Sequence, residues 1–283
     1  MKTNYKLSII LIIYGIFVFN TNLSRSELLQ ENVVLAINCG GDLYKDSKDI
    51  EYIEDSYVVG GQSSDFGSQF DIKNTNDPVL YQTERWSESD LEYNLPILEN
   101  GQYVLILKFS EVYFNNENEK TFDVNIGNKR ILSNVDIYAK VGKSTAYDEY
   151  IEFEIRNNKA YYNNKYIEEG YNEKTNELKL IFKKGKNDNP KINAILIVKG
   201  SKQDTDYELF KNSLDDLEKA KEEKERKQRE IKKRNSLHYD FEEYEEDFID
   251  DEVETKTKSI FISTFIYIII GSILYLYIFK YRK

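Results

Sequence analysis

The chain has 283 residues, a formal net charge of −11, one cysteine and one histidine. An acidic chain without a basic, aromatic-studded surface excludes nucleic acid as a partner, and a single cysteine excludes a disulfide framework. His238 lies in a charged segment near the C-terminus, so histidine catalysis and histidine metal sites find no residue in the body of the chain. No metal cluster is readable, and no cofactor is implied.

Lys2 and Lys6 precede an apolar run from Leu7 to Phe19 that is too short to cross a bilayer, which is the pattern of a cleaved signal peptide over about residues 1–26. The chain is therefore expected to enter the secretory pathway. The sole glycosylation sequon, Asn22-Leu23-Ser24, falls within that segment and is given no function.

Residues 27–204 read as one all-β domain, large enough to stand on its own core without staples. Tyr103, Leu105, Leu107 and Phe109 alternate with Val104, Ile106, Lys108 and Ser110; Phe122, Val124 and Ile126 alternate with Asp123 and Asn125; Ile151, Phe153 and Ile155 alternate with Glu152, Glu154 and Arg156. Each run predicts a strand with one buried face. Leu178, Leu180 and Phe182 give another, as do Ile192, Ala194, Leu196 and Val198, with turns such as Asn100-Gly101 and Ile126-Gly127-Asn128 between runs. Many short antiparallel strands imply a sandwich or jelly roll. Cys39, just after a strand, reads as a small buried hydrophobe.

Past Gly200 the pattern changes. Residues 205–236 read as a charged helical stalk: Leu209, Leu214 and Leu217 give a short apolar stripe, and Glu222–Arg226, Glu223–Lys227, Glu225–Arg229 and Glu230–Arg234 are i, i+4 pairs in the favourable order. Residues 237–258 are acidic around a few aromatics and predict a disordered linker. Ile260 to Phe279 is uncharged and reaches roughly 30 Å as a helix, so 259–279 is predicted to span the membrane once. Lys280, Arg282 and Lys283 then place the 280–283 tail in the cytosol by the positive-inside rule, with the bulk of the chain in the lumen.

Three blocks carry the candidate chemistry: Leu80 to Trp86, Glu111-Val112-Tyr113-Phe114, and Asp188-Asn189-Pro190. A pyranose has an apolar C–H face that packs on an aromatic ring and a rim of hydroxyls that needs partners once desolvated; aromatic plates and an aspartate supply both. The same residue types also build ordinary strand cores, so the blocks alone leave both readings open.

The order of blocks resembles the malectin family. The matching residues begin at Ala36-Ile37-Asn38-Cys39-Gly40-Gly41 and run through Ser64-Asp65-Phe66-Gly67, Tyr81 to Trp86, Gly101 to Leu105, Phe109 to Phe114, Phe122-Asp123-Val124, Asp136-Ile137-Tyr138 and Ala146 to Glu149, ending at Asp188-Asn189-Pro190-Lys191. The resemblance covers about residues 31–200. It implies a jelly-roll β-sandwich of the kind common among carbohydrate-binding modules, acting as a non-enzymatic lectin of the endoplasmic reticulum in early N-glycosylation and quality control. By resemblance Phe66, Trp86, Tyr113, Phe114 and Asp188 occupy the sugar-contacting positions, and the implied ligand is the glucose-α-1,3-glucose end of a glucosylated high-mannose N-glycan. Ribophorin, a subunit of the oligosaccharyltransferase, is an implied partner. The family has tyrosine where Phe66 and Trp86 stand; Phe66 cannot hydrogen-bond and Trp86 offers only an N–H donor. Two alternatives remain. One is a glycan-independent interaction module of the glycosylation machinery; the other, ranked below it, is a glycoside hydrolase drawing its acid and base from Glu84, Glu111 and Asp188.

Overall fold

Gly101–Phe109 is the central strand of the larger sheet, pairing antiparallel with Tyr147–Arg156 on one side and Ala194–Lys199 on the other. In this computed structural model the described residues are 29–234 and Ser263. The signal peptide expected at 1–26, the linker at 237–258, the tail at 280–283 and, Ser263 apart, the span at 259–279 lie outside them. No helix among the described residues is long and apolar enough to cross a membrane.

The larger sheet has eight strands, in the order Lys165–Tyr166, Lys159–Tyr162, Tyr147–Arg156, Gly101–Phe109, Ala194–Lys199, Val33–Asn38, Glu51–Glu54 and Tyr44–Lys45. A second sheet runs Lys129–Val135, Phe122–Ile126, Glu177–Lys184, Leu91–Pro96 and Val58–Val59, with Tyr171–Asn172 paired to Glu177–Lys184. The two face each other across one core. Leu35, Ile37, Leu105, Leu107, Phe109, Phe153 and Ile197 come from the first sheet; Leu91, Tyr93, Phe122, Val124, Leu180 and Phe182 come from the second. Period-2 alternation produces this directly: in Phe122–Ile126 the residues Phe122, Val124 and Ile126 are buried while Asp123 and Asn125 are half-buried. The domain is a β-sandwich.

Gly101–Phe109 departs from the one-faced reading, because Val104 and Ile106 are as buried as Leu105 and Leu107. A second apolar layer explains it. On the outer face of the larger sheet, Ala36, Val104, Ile106, Leu196 and Val198 are covered by Ile50, Tyr52, Ile72, Leu80 and Tyr81, with Tyr207 and Phe210 against the same cluster. The strand is thus covered on both sides, which alternation alone cannot reveal.

The compact unit extends to Leu217, past the boundary expected at 204. Residues 207–217 are helical and seat Tyr207 and Phe210 on Tyr150, at ring separations of 5.4 Å and 5.4 Å. The expected stripe of Leu209, Leu214 and Leu217 is corrected accordingly: Leu209 is 65% exposed, and the packed positions are Tyr207, Phe210 and Leu214. In the second unit, residues 218–234 are helical, with Glu223–Lys227 at 2.7 Å and Glu225–Arg229 at 3.2 Å. Cys39 is fully buried and unpaired, and burial pushes its thiol well up, with Asp55 adding to the effect.

Candidate functional site

A third sheet of three short strands sits apart from the sandwich layers and frames the site. Glu84–Trp86 lies between Gln62–Ser64 and Lys191–Ile192, with Trp86 opposite both Gln62 and Lys191. The run from Ile192 to Val198, read from alternation as one strand, divides at Asn193. Ile192 pairs with Arg85 in the small sheet, whereas Ala194 pairs with Lys108 in the large one.

Asn193 makes that division possible. Its buried amide donates to Tyr81 O at 3.0 Å and Thr83 O at 2.7 Å and accepts from Ser110 N at 3.0 Å, so the approach to Glu84–Trp86 is fastened to the large sheet. The Asn38-Cys39-Gly40 turn presses on the same strand. Gly40 has φ +72°, and a Cβ there would lie 2.2 Å from Glu84 O, so only glycine allows this approach. Asn38 accepts from Thr83 Oγ1 at 3.0 Å.

Each of the five expected residues reaches one cleft of about 430 Å³. Phe66 opens the 3₁₀ turn Phe66–Gln69, where a Cβ on Gly67 would lie 2.4 Å from Gln82 O. The Phe66 ring is 41% exposed and stands 5.5 Å from Phe70 and 5.7 Å from Tyr113. Tyr113, 66% exposed, meets Phe114 edge-on at 5.1 Å. Buried Glu111 holds that pair by accepting from Tyr113 N at 2.8 Å and Phe114 N at 3.1 Å. Trp86 is half-buried on its strand.

Asp188 sits in a turn with φ +55°, a left-handed conformation that aspartate tolerates better than most residues. Its Oδ2 pairs with Lys120 Nζ at 2.6 Å, and the same ammonium lies 5.5 Å from the Phe114 ring centroid. Glu84 pairs with Lys191, whose ammonium also donates to Ser110 O. The wall therefore alternates aromatic faces with fixed ion pairs.

Sequence reasoning missed Lys120, which lies in a loop rich in Asn and Glu; next to it Thr121 N donates to Asn187 O at 3.0 Å, joining this loop to the Asp188 turn. It also gave no role to Lys191, a lysine only 1% exposed ahead of an apolar run. Tyr81, the first aromatic of its block, does not line the cleft; it is buried and donates through its hydroxyl to Asp148 at 2.7 Å.

Two packed sheets with an aromatic-walled cleft built on their connecting loops make this, in architecture, a β-sandwich binding domain. The chain belongs to the malectin family: the family described as "Malectin domain" matches residues 33–195. It is 39% identical over 179 residues to Malectin-A of Xenopus laevis, covering 62% of this chain and 63% of that one. It is 38% identical over 179 residues to Malectin of Homo sapiens, covering 62% and 60%. The match thus spans less than two thirds of the length of those relatives. Among solved structures, the extracellular domain of ANXUR2 from Arabidopsis thaliana aligns with a TM-score of 0.49 at 18% identity, over 61% of this chain and 50% of that one. A β-glucuronidase of Bacteroides uniformis aligns with a TM-score of 0.44 at 19% identity, over 59% and 18%.

Proposed function

We propose that the chain is a lectin whose ligand is the glucose-α-1,3-glucose end of glucosylated high-mannose N-glycans, bound without cleavage. The observation that carries this reading is the convergence of Phe66, Trp86, Tyr113, Phe114 and Asp188 on one cleft. Those residues were singled out by family resemblance, and they come from four places in the sequence between Phe66 and Asp188. The aromatic rings offer faces for the apolar sides of two sugar rings, while Asp188, whose Oδ2 is held by Lys120, offers an acceptor for hydroxyls.

Several further points belong to the same reading. The sandwich is taken as the jelly roll of carbohydrate-binding modules. Residues 1–26 act as signal peptide, 259–279 as the single span, and the domain works in the lumen of the endoplasmic reticulum on newly made glycoproteins, with ribophorin of the oligosaccharyltransferase as a partner. Glu84 is tied to Lys191, Glu111 to two backbone N–H groups and Asp188 to Lys120, so each carboxylate has a fixing partner that suits a rigid binding wall.

A glycan array probed with the full chain tests the ligand, and incubation with a diglucosylated N-glycan tests the chemistry. Selective retention of glucosylated glycans without released glucose is expected. Released glucose moves the assignment to the hydrolases, and retention of no glucosylated glycan leaves the protein-interaction reading.

A further inference from the structure

The aromatic cleft does not account for Tyr81 and Asp148, although both lie in blocks shared with the family. They meet on the outer face of the larger sheet, at the floor of a separate cavity of about 590 Å³. Segments around Ser47 and Asn76 form its rim, and Phe210 of the helical segment 207–217 closes one side.

The floor combines a closed polar network with groups left to bond. Lys108 Nζ donates to Asp148 Oδ2 at 2.7 Å and to Tyr81 OH at 3.2 Å, and an ammonium has a third proton to give. Burial works against the Lys108 charge, but Asp148 together with Tyr81, Tyr52 and Tyr150 outweighs it and holds the amine well up, in its charged form. Tyr52 also lines the cavity and is 1% exposed, yet its hydroxyl has no hydrogen-bond partner among the described residues. That hydroxyl is free to bond a molecule that enters from the cavity.

We propose that this cavity is a second ligand site, taking a neutral polyhydroxylated molecule of mono- to disaccharide size, independent of the aromatic cleft. A hydroxyl both donates and accepts, so one sugar hydroxyl serves the Tyr52 O–H and another the spare Lys108 proton. Leu209, 65% exposed, and half-buried Phe210 supply apolar surface for C–H groups on one side.

Charge decides against an anion. Lys108 is taken by Asp148 and Lys48 by Asp206, while Asp46 and Asp77 add negative charge to the wall without a matching lysine. A cation is disfavoured too, since Asp46 is spent on the Lys48 and Ile50 backbone N–H groups and Asp77 on Ser47. The cavity is larger than the aromatic cleft and lies within the roughly 300–1,000 Å³ of ordinary small-molecule sites.

Saturation-transfer NMR on the full chain in detergent, with methyl α-glucoside and maltose as the sugars, tests this. Tyr113→Ala impairs the aromatic cleft and is expected to leave transfer to at least one of these sugars. Adding Asn76→Trp, at an exposed rim position, is expected to abolish that residue of binding. Adding Tyr52→Phe instead, which keeps volume, is expected to weaken it about fivefold, the worth of one hydrogen bond. No transfer in Tyr113→Ala, or transfer that Asn76→Trp leaves untouched, overturns the second site. Binding lost to Asn76→Trp alone but indifferent to Tyr113→Ala would instead sink the lectin assignment of the cleft while this site stands.

Discussion

Lys120 Nζ stands 2.6 Å from Asp188 Oδ2 and 5.5 Å from the Phe114 ring centroid, so one cation fixes both the polar hook and an aromatic plate of the cleft. Lys120 is only 10% exposed at its side chain whereas Asp188 is 32% exposed, so the ammonium is enclosed while the carboxylate stays open to the cleft. Asp188→Asn keeps a residue that accepts the left-handed turn but removes the charged acceptor and leaves Lys120 unpaired. It is expected to cost about 1–3 kcal/mol of glycan affinity by calorimetric titration and to lower the melting temperature, because Lys120 is left without its counter-ion. Asp188→Ala adds the backbone penalty of a left-handed alanine and is expected to melt lower than Asp188→Asn.

The departure at Phe66 is open to test in the opposite direction. Its ring is 41% exposed beside Tyr113, so an added para-hydroxyl reaches the cleft or solvent instead of an apolar core. Phe66→Tyr is expected to leave the melting temperature unchanged and tighten glycan binding by up to about tenfold, the worth of one hydrogen bond. Phe66→Ala and Tyr113→Ala each remove a stacking plate and are expected to weaken binding by about 1–3 kcal/mol without unfolding the domain. Unchanged affinity in all three variants removes these rings from the site.

How much of this was legible depended on where the determining contact lay. Phe122, Val124 and Ile126, or Ile151, Phe153 and Ile155, show their inward face by spacing alone, because each strand meets the core on one side. Gly101–Phe109 reads falsely as one-faced, since the layer over Val104 and Ile106 comes from Ile50, Tyr52 and Tyr81, elements distant in sequence. Phe114 and Asp188 came from family resemblance. Lys120 could not be found, because nothing local in an Asn- and Glu-rich loop says that it will meet Asp188. The packed side of the helical segment 207–217 is hidden for a similar reason: charge dominates the composition there, and Tyr207 and Phe210 acquire meaning opposite Tyr150.

Asn193 is expected to be the costliest of the polar side chains behind the cleft. Its amide serves three backbone groups, Tyr81 O, Thr83 O and Ser110 N, in an environment where the residue is 1% exposed. Asn193→Ala leaves those groups unmatched, and each buried polar group left without a partner costs about 1–3 kcal/mol. A loss of at least about 2 kcal/mol in urea unfolding is expected, together with weaker glycan binding, because Glu84–Trp86 loses its fastening to the large sheet. Asn193→Asp keeps the acceptor for Ser110 N but turns both donated bonds into repulsive contacts, so it is expected to be no better than alanine.

Docking of the helical segment 207–217 is expected to weaken in acid. Asp206, just ahead of it, accepts from Tyr150 OH at 2.9 Å and is paired with Lys48. Burial would raise its pKa, but the charges of Lys48 and Lys108, with the bonds from Lys48 and Tyr150, outweigh burial and hold the carboxyl below its ordinary value. A carboxyl depressed in the folded state contributes stability that is present above its unfolded pKa and is lost as pH falls through the folded one, which here means below about pH 4. Hydrogen exchange over residues 207–217 is therefore expected to be slow at pH 6 and, after correction for intrinsic rates, to lose protection as the pH is lowered below the ordinary carboxylate range. Asp206→Asn is expected to show reduced protection already at pH 6 and a flatter response below it. Equal acid sensitivity in parent and variant would place the weak point elsewhere than Asp206.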